Sequence, residues 1–218
     1  MVNADLHVHS HHSIDSCMSY DQLIRACQKK GINCIALADH GTTLGARELS
    51  RISPFKVIVC EEVMTPFGEI MGMFLSEDIP DMISVEDAIH CIKEQNGLVC
   101  IPHPFDLIRP SAFRDLKKLE SIMDNIDIIE IFNSRSLYPA ADKKASALAK
   151  RYHKVASAGT DAHSSAEIGY VNIRMKDFNN KFEFLTSLSM AKISGKKSNA
   201  LVHLISTAAR LRKQHKRE

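Results

Sequence analysis

The chain has 218 residues, enough for one domain with a substantial core, and its 44% hydrophobic and 25% charged content is that of an ordinary globular protein. No apolar run approaches the ~20 residues a membrane span needs, and the six cysteines, at 17, 27, 34, 60, 91 and 100, never form Cys-x-x-Cys, which argues against a disulfide framework. The net charge of +2 is unevenly spread: residues 192–218 hold eight Lys/Arg against Glu218 alone, which leaves 20 bases and 25 acids in the rest.

Residues 2–8 read as a strand that enters the core at once, leaving no room for a charged segment followed by a cleavable apolar one. A cytoplasmic protein is expected. Alternate strand residues share a face, so His7 and His9 aim at one pocket, and Asp5 is expected on that face as the acceptor that orients a ligand histidine. After Asp15, a helix over 19–30 starts at Ser19 and closes at Gly31. The continuously apolar strand 32–38 runs into Asp39-His40. Neighbours on a strand face opposite ways, so His40 is the expected ligand and Asp39 its orienter. A helix over 42–51 follows.

Strand 56–61 ends at Glu61-Glu62, where one acid can bridge two metals while the other is a surface or structural acid. Cys60 beside them is a poor ligand candidate on softness grounds. The stretch 62–80 breaks the alternation with a hairpin around Thr65-Pro66-Phe67-Gly68 and a strand over 69–75. A helix over 84–95 and a strand over 98–102 lead to His103, which Pro102 and Pro104 hold rigidly outward. Helix 111–124, strand 126–132, helix 139–152 and strand 154–159 then deliver Asp161 and His163, again in an i, i+2 relation. Strand 170–174, helix 180–190 and an amphipathic helix over 197–214 complete the chain, with His203 expected as a partly buried helix residue and not a ligand.

Strand–helix alternation with short connections predicts an α/β fold, a single-domain (β/α) barrel of about seven imperfectly closed strands, with ligands gathered at the C-terminal strand ends. The expected division is a barrel over 1–195 with a basic helix over 196–218 packed on it. Neutral imidazole with carboxylate suits Zn²⁺, Mn²⁺ or Fe²⁺.

The motifs Asp-Leu-His-Val-His-Ser at 5–10, Ala-Asp-His at 38–40, Glu-Glu at 61–62, Pro-His-Pro at 102–104 and Gly-Thr-Asp-Ala-His at 159–163 make the chain resemble the PHP (polymerase and histidinol phosphatase) superfamily of metal-dependent phosphoesterases over nearly its whole length. The resemblance implies a distorted (β/α)7 TIM-like barrel and two or three divalent ions (Mn, Zn or Fe). It implies one metal on His7, His9, Glu62 and Asp161. A second would share Glu62 and take His103 with Glu130 or Asn133, and a third would take Asp15, His40 and His163. Two departures stand out. Where many relatives place a histidine soon after the bridging glutamate, this chain has Ile70-Met71-Gly72, and where some have another, it has Glu130-Ile131-Phe132-Asn133.

The function so implied is hydrolysis of a phosphomonoester or nucleotide-like substrate by a metal-activated hydroxide. Arg135 and then Arg109 are the expected phosphate contacts, because a guanidinium fork matches two phosphate oxygens. The expected partner is a small phosphorylated molecule, a nucleotide or a short oligonucleotide, with no membrane involvement. Two alternatives differ in class. An amidohydrolase-like C–N hydrolase is weakened by Glu61-Glu62 standing where many such enzymes carry a carboxylated lysine. A non-catalytic metal-bearing module would bind nucleic acid or a partner protein through its basic tail.

Overall fold

The computed structural model describes residues 1–215, so the tail charges expected at Lys216 and Arg217 lie outside the described residues. In chain order the elements are β1 (Val2–Val8), α1 (Tyr20–Lys30), β2 (Cys34–His40), α2 (Leu44–Ile52), β3 (Lys56–Thr65), β4 (Gly68–Met73), α3 (Val85–Glu94), β5 (Leu98–Ile101), α4 (Leu116–Ser121), β6 (Ile128–Asn133), α5 (Pro139–Arg151), β7 (Val155–Gly159), β8 (Val171–Met175), α6 (Lys181–Ser189), β9 (Lys192–Gly195) and α7 (Val202–Gln214). Helix starts follow the expected chemistry. Ser19 and Gln22 cap each other reciprocally, and the Ser84 hydroxyl accepts the Asp87 N–H.

The strands form one sheet in the order β7-β6-β5-β4-β3-β2-β1-β8-β9, curled into a nearly closed barrel. Closure is incomplete because β1 divides its free edge. Val2 to Ala4 pair antiparallel with β8, while Val8 meets Ala162 just beyond β7 in a single parallel bridge. The barrel interior is filled by alternate residues such as Ala4, Leu6, Ala36, Ala38, Cys60, Met71 and Cys100, and the opposite faces (Ile35, Leu37, Ile70, Ile101, Ile129) pack against helices. Each fully buried side chain of this size contributes roughly 1.5–3 kcal/mol before entropy is counted. Cys60 lies in that interior packing, below the level of the polar residues.

Four expectations about elements change. β3 continues to Thr65, so Glu61 and Glu62 lie within the strand and not at its end, and the expected hairpin turned by Pro66-Phe67 sets β4 antiparallel to both β3 and β5, between the parallel groups β1-β2-β3 and β5-β6-β7. Gly68 has φ +134° and a Cβ there would sit 2.7 Å from the Phe113 backbone, so the turn requires glycine. Helix 111–124 shortens to α4 and a 3₁₀ turn, because the Ser111 carbonyl accepts the Glu69 N–H and the Phe113 carbonyl accepts the Phe105 N–H instead of continuing a helix. Residues 192–195 form the edge strand β9, which brings the count to nine and delays the last helix to Val202. Among the described residues no helix is long and apolar enough to cross a membrane.

Candidate metal centre

Where the barrel strands end, alternate residues that were apolar below become polar above. Ala38 is followed two residues on by His40, Cys60 by Glu62, Met71 is preceded by Glu69, and Ile128 is followed by Glu130. β1 reaches the same level by a bulge: its register to β2 shifts between Asp5 and Val8, which turns His7 and His9 inward after Leu6.

The bulge overturns one expectation. Asp5 does not touch a histidine ring. Its carboxylate accepts the Thr160 N–H at 2.9 Å and hydroxyl at 2.5 Å and so ties β1 to β7, and burial pushes its pKa up to about 7 despite those bonds. The His7 ring is held instead by Glu130, whose Oε1 lies 3.2 Å from Nδ1 and whose Oε2 accepts the His103 N–H at 2.7 Å and an Asn133 amide N–H at 3.0 Å. Asp39 likewise serves one residue of the neighbouring loop, accepting the Ser10 N–H and hydroxyl, both at 2.6 Å, and not the His40 ring. Glu61 faces outward to accept the Ile79 N–H at 2.9 Å, which leaves Glu62 as the acid of the centre.

The remaining candidates converge. Glu62 Oε2 lies 3.3 Å from His7 Nε2, 3.3 Å from His9 Nε2 and 3.4 Å from His40 Nδ1, while Oε1 is 2.9 Å from His103 Nε2. Asp161 Oδ1 is 3.2 Å from His9 Nε2. Asp15 reaches His163 Nε2 at 3.1 Å with Oδ1 and His40 Nε2 at 3.4 Å with Oδ2. Both His103 (φ 29°) and Asp161 (φ 56°) are held in the left-handed region, backbone strain of the kind that persists where the surroundings fix a residue for use.

None of the sequence motifs points to Glu69. It is 2% exposed on β4, with Oε1 3.3 Å from His40 Nδ1 and Oε2 3.6 Å from His103 Nε2. The signal that could have found it is its place one residue before Ile70: a two-residue turn at Pro66-Phe67 pairs Glu69 with Met64 and so puts it on the face of Glu62.

The residues present fit divalent cations. Glu62 Oε2, Glu69 Oε2 and Asp161 Oδ1 are buried without a hydrogen-bond partner. Such orphaned anionic oxygens are costly unless a cation meets them. His7 Nε2 and His9 Nε2 approach to 3.1 Å, and two ligands each ~2.1 Å from one ion are separated by about that much. Four groups of donors lie within 4.8 Å of one another: His9-Asp15-His40-His163, His7-Glu62-His103, His7-His9-Asp161 and His40-Glu62-Glu69. Electrostatics follow this crowding. Burial alone would depress His40, but Asp15, Glu69 and Glu62 lift it to about 10, while burial and then the His9 and Arg135 charges hold His163 down at about 4.

A cavity of about 680 Å³ opens over the centre. Arg109 reaches down to Asp161 and lies 3.1 Å from His103 Nε2. Arg135, 2% exposed, is bonded to the Val202 carbonyl at 2.9 Å, Ser206 Oγ at 2.8 Å and the His163 ring, with Glu167 3.4 Å away, so it fixes α7 as the cavity wall. His203 is a partly buried helix residue whose ring nitrogen lies 3.1 Å from the Arg135 carbonyl. Tail cations are engaged within the fold: Lys197 pairs with Asp142 and donates to the Asn133 carbonyl at 2.9 Å, Arg210 lies 3.3 Å from Asp15, and Lys213 donates to the His11 and Ser13 carbonyls.

Comparison with known proteins agrees with this geometry. The PHP domain model matches residues 5–100 and the PHP-associated model residues 139–193. An uncharacterized protein of Methanocaldococcus jannaschii is 33% identical over 180 residues, 82% of this chain and 72% of that one. A two-domain protein from Bacteroides vulgatus, containing a predicted PHP-like metal-dependent phosphoesterase, superposes with TM-score 0.70 at 16% identity over 95% of this chain and 69% of its own. PsfC from Pseudomonas syringae superposes with TM-score 0.65 at 12% identity over 98% of each chain. At such identities the structural likeness is one of fold.

Proposed function

This chain belongs to the PHP domain family, and on that premise we propose that it is a metal-dependent phosphoesterase acting on a phosphomonoester or nucleotide-like phosphate. The observation that carries the reading is Glu62, a buried carboxylate whose Oε2 lacks any hydrogen-bond partner while three imidazole nitrogens lie within 3.4 Å of it. Divalent ions bound there would supply Lewis acidity and lower the pKa of an attacking water towards roughly 7. His7, His9, Glu62 and Asp161 would hold one ion, Glu62 and His103 a second, and Asp15, His40 and His163 a third, drawn from Mn, Zn and Fe.

The chain's own groups do the positioning. Glu130 holds the His7 ring in one orientation and anchors the backbone from which His103 projects. Arg109 is the first phosphate contact, because it projects into the cavity from a loop, whereas Arg135 is bound up in holding α7. Arg210, with its side chain 54% exposed, stands at the rim as a second cation. Ile14, Met64, Met82, Ile108 and Leu137 give the same cavity apolar wall, which suits a compact body such as a nucleobase on the phosphate. Three guanidinium groups around one cavity favour phosphate over a neutral C–N substrate. The test is hydrolysis of a phosphomonoester and nucleotide panel by Mn²⁺-, Zn²⁺- and Fe²⁺-loaded protein. Phosphate release that Glu62→Gln abolishes is expected, and release indifferent to that change would sink the assignment.

A further inference from the structure

Glu69 is given to none of the three ions above, yet it joins His40 and Glu62 in one of the four donor groups. It is the second residue of β4, after Gly68, on the interior face it shares with Met71 and Met73, and β3 delivers Glu62 to the same face. Both carboxylates are at most 2% exposed, and each keeps one oxygen, Oε2, with no hydrogen-bond partner. Among the described residues no lysine or arginine forms a salt bridge with Glu69, although the Arg109 charge acts on it. The polar atoms facing its oxygens are His40 Nδ1 at 3.3 Å and His103 Nε2 at 3.6 Å. Two buried carboxylates side by side repel unless a proton or a cation sits between them.

We propose that Glu69 is a metal ligand, which with Glu62 and His103 builds a carboxylate-rich second site and biases it towards Mn²⁺ or Fe²⁺ over Zn²⁺. This rests on the metal-dependent reading given above and goes beyond it by naming a donor and a selectivity. A histidine at this position would offer one neutral nitrogen. The glutamate offers one or two anionic oxygens, which suit a harder ion and a higher coordination number. The bland alternative is a protonated acid that bonds to a histidine and binds nothing.

The test is Mn²⁺ binding to the full-length protein by equilibrium dialysis and competition with a calibrated chelator, compared among wild type, Glu69→Gln and Glu69→His. Wild type should bind at least two Mn²⁺ per chain. Glu69→Gln, which is isosteric, should lose one of them or weaken it at least tenfold while the others stay within twofold. Glu69→His should keep the wild-type count but shift the Zn²⁺:Mn²⁺ selectivity at least tenfold towards Zn²⁺. Glutamine and histidine variants that bind both metals as wild type does would overturn this proposal alone. A wild type that binds no Mn²⁺ or Zn²⁺ would overturn the metal-dependent reading with it. If the glutamine variant does not fold, the selectivity of the histidine variant decides.

Discussion

Gly159 faces His7 across the seam where the sheet fails to close, so tightly that a Cβ built on Gly159 would lie 2.1 Å from the Cβ of His7 and 2.8 Å from Glu130 Oε1. The end of β7 is therefore the wall against which the first metal-facing histidine is set, and only hydrogen fits between them. Gly159→Ala should displace the His7 ring and its Glu130 partner. A loss of about 1–3 kcal/mol in stability is expected for overpacking, together with a loss of metal affinity. Urea unfolding and metal titration check it, and a variant matching wild type in both would show that the seam is slack.

Stripping the metals should destabilise the fold. The centre collects Asp15, Glu62, Glu69, Glu130 and Asp161, all at most 6% exposed, with Arg109, Arg135 and Arg210 as nearby cations. Ions bound only to the folded state add about 2.7 kcal/mol per site at a hundredfold excess over Kd, on the order of 5–10 °C in Tm for a chain of this size. Thermal melts with and without chelator measure it. Unchanged melting would mean that the acids are neutralised by protons instead.

The two arginines should fail differently. Arg135→Ala leaves Glu167, which is 1% exposed, without its cation and frees α7 from the barrel. A loss of about 3 kcal/mol or more is expected. Arg109→Ala in the metal-loaded protein should barely move Tm, yet raise KM at least tenfold for a phosphate substrate. If Arg135→Ala melts like wild type and Arg109→Ala does not, the roles are reversed.

Thiol labelling gives an independent check of the core. Cys17 is exposed and should react first with a maleimide. Burial pushes Cys27 and Cys34 up to about 12, so both should label only in denaturant, like the buried Cys60 and Cys100. Rapid native labelling of Cys27 would contradict the packing of α1 on β2.

The strand-end motifs made the barrel and most of the centre legible, because His7, His9, His40, His103, Asp161 and His163 each sit where a periodic apolar run stops. What escaped depends on register. One extra residue in β1 turns Asp5 away from the histidines it was expected to orient, and nothing in Asp-Leu-His announces a bulge. Glu69 hid because an isolated acid after a turn looks like a solvated strand end until the sheet curls it inward. β9 was invisible because Lys192-Ile193-Ser194-Gly195 carries almost no apolar signal.

The hairpin between β3 and β4 also makes the length of one turn a chemical variable. Thr65 pairs with Gly68 across Pro66 and Phe67, and that register sets Glu69 opposite Met64, on the same face as Glu62 and one pair nearer the turn. An added or deleted residue there would slip β4 by one and rotate Glu69 out towards α3 while carrying Ile70 into the centre. Insertions that the outer loops absorb without consequence would, at these two positions, exchange an anionic donor for a hydrocarbon. Descendants of this sequence can therefore vary Pro66 and Phe67 in kind far more freely than in number.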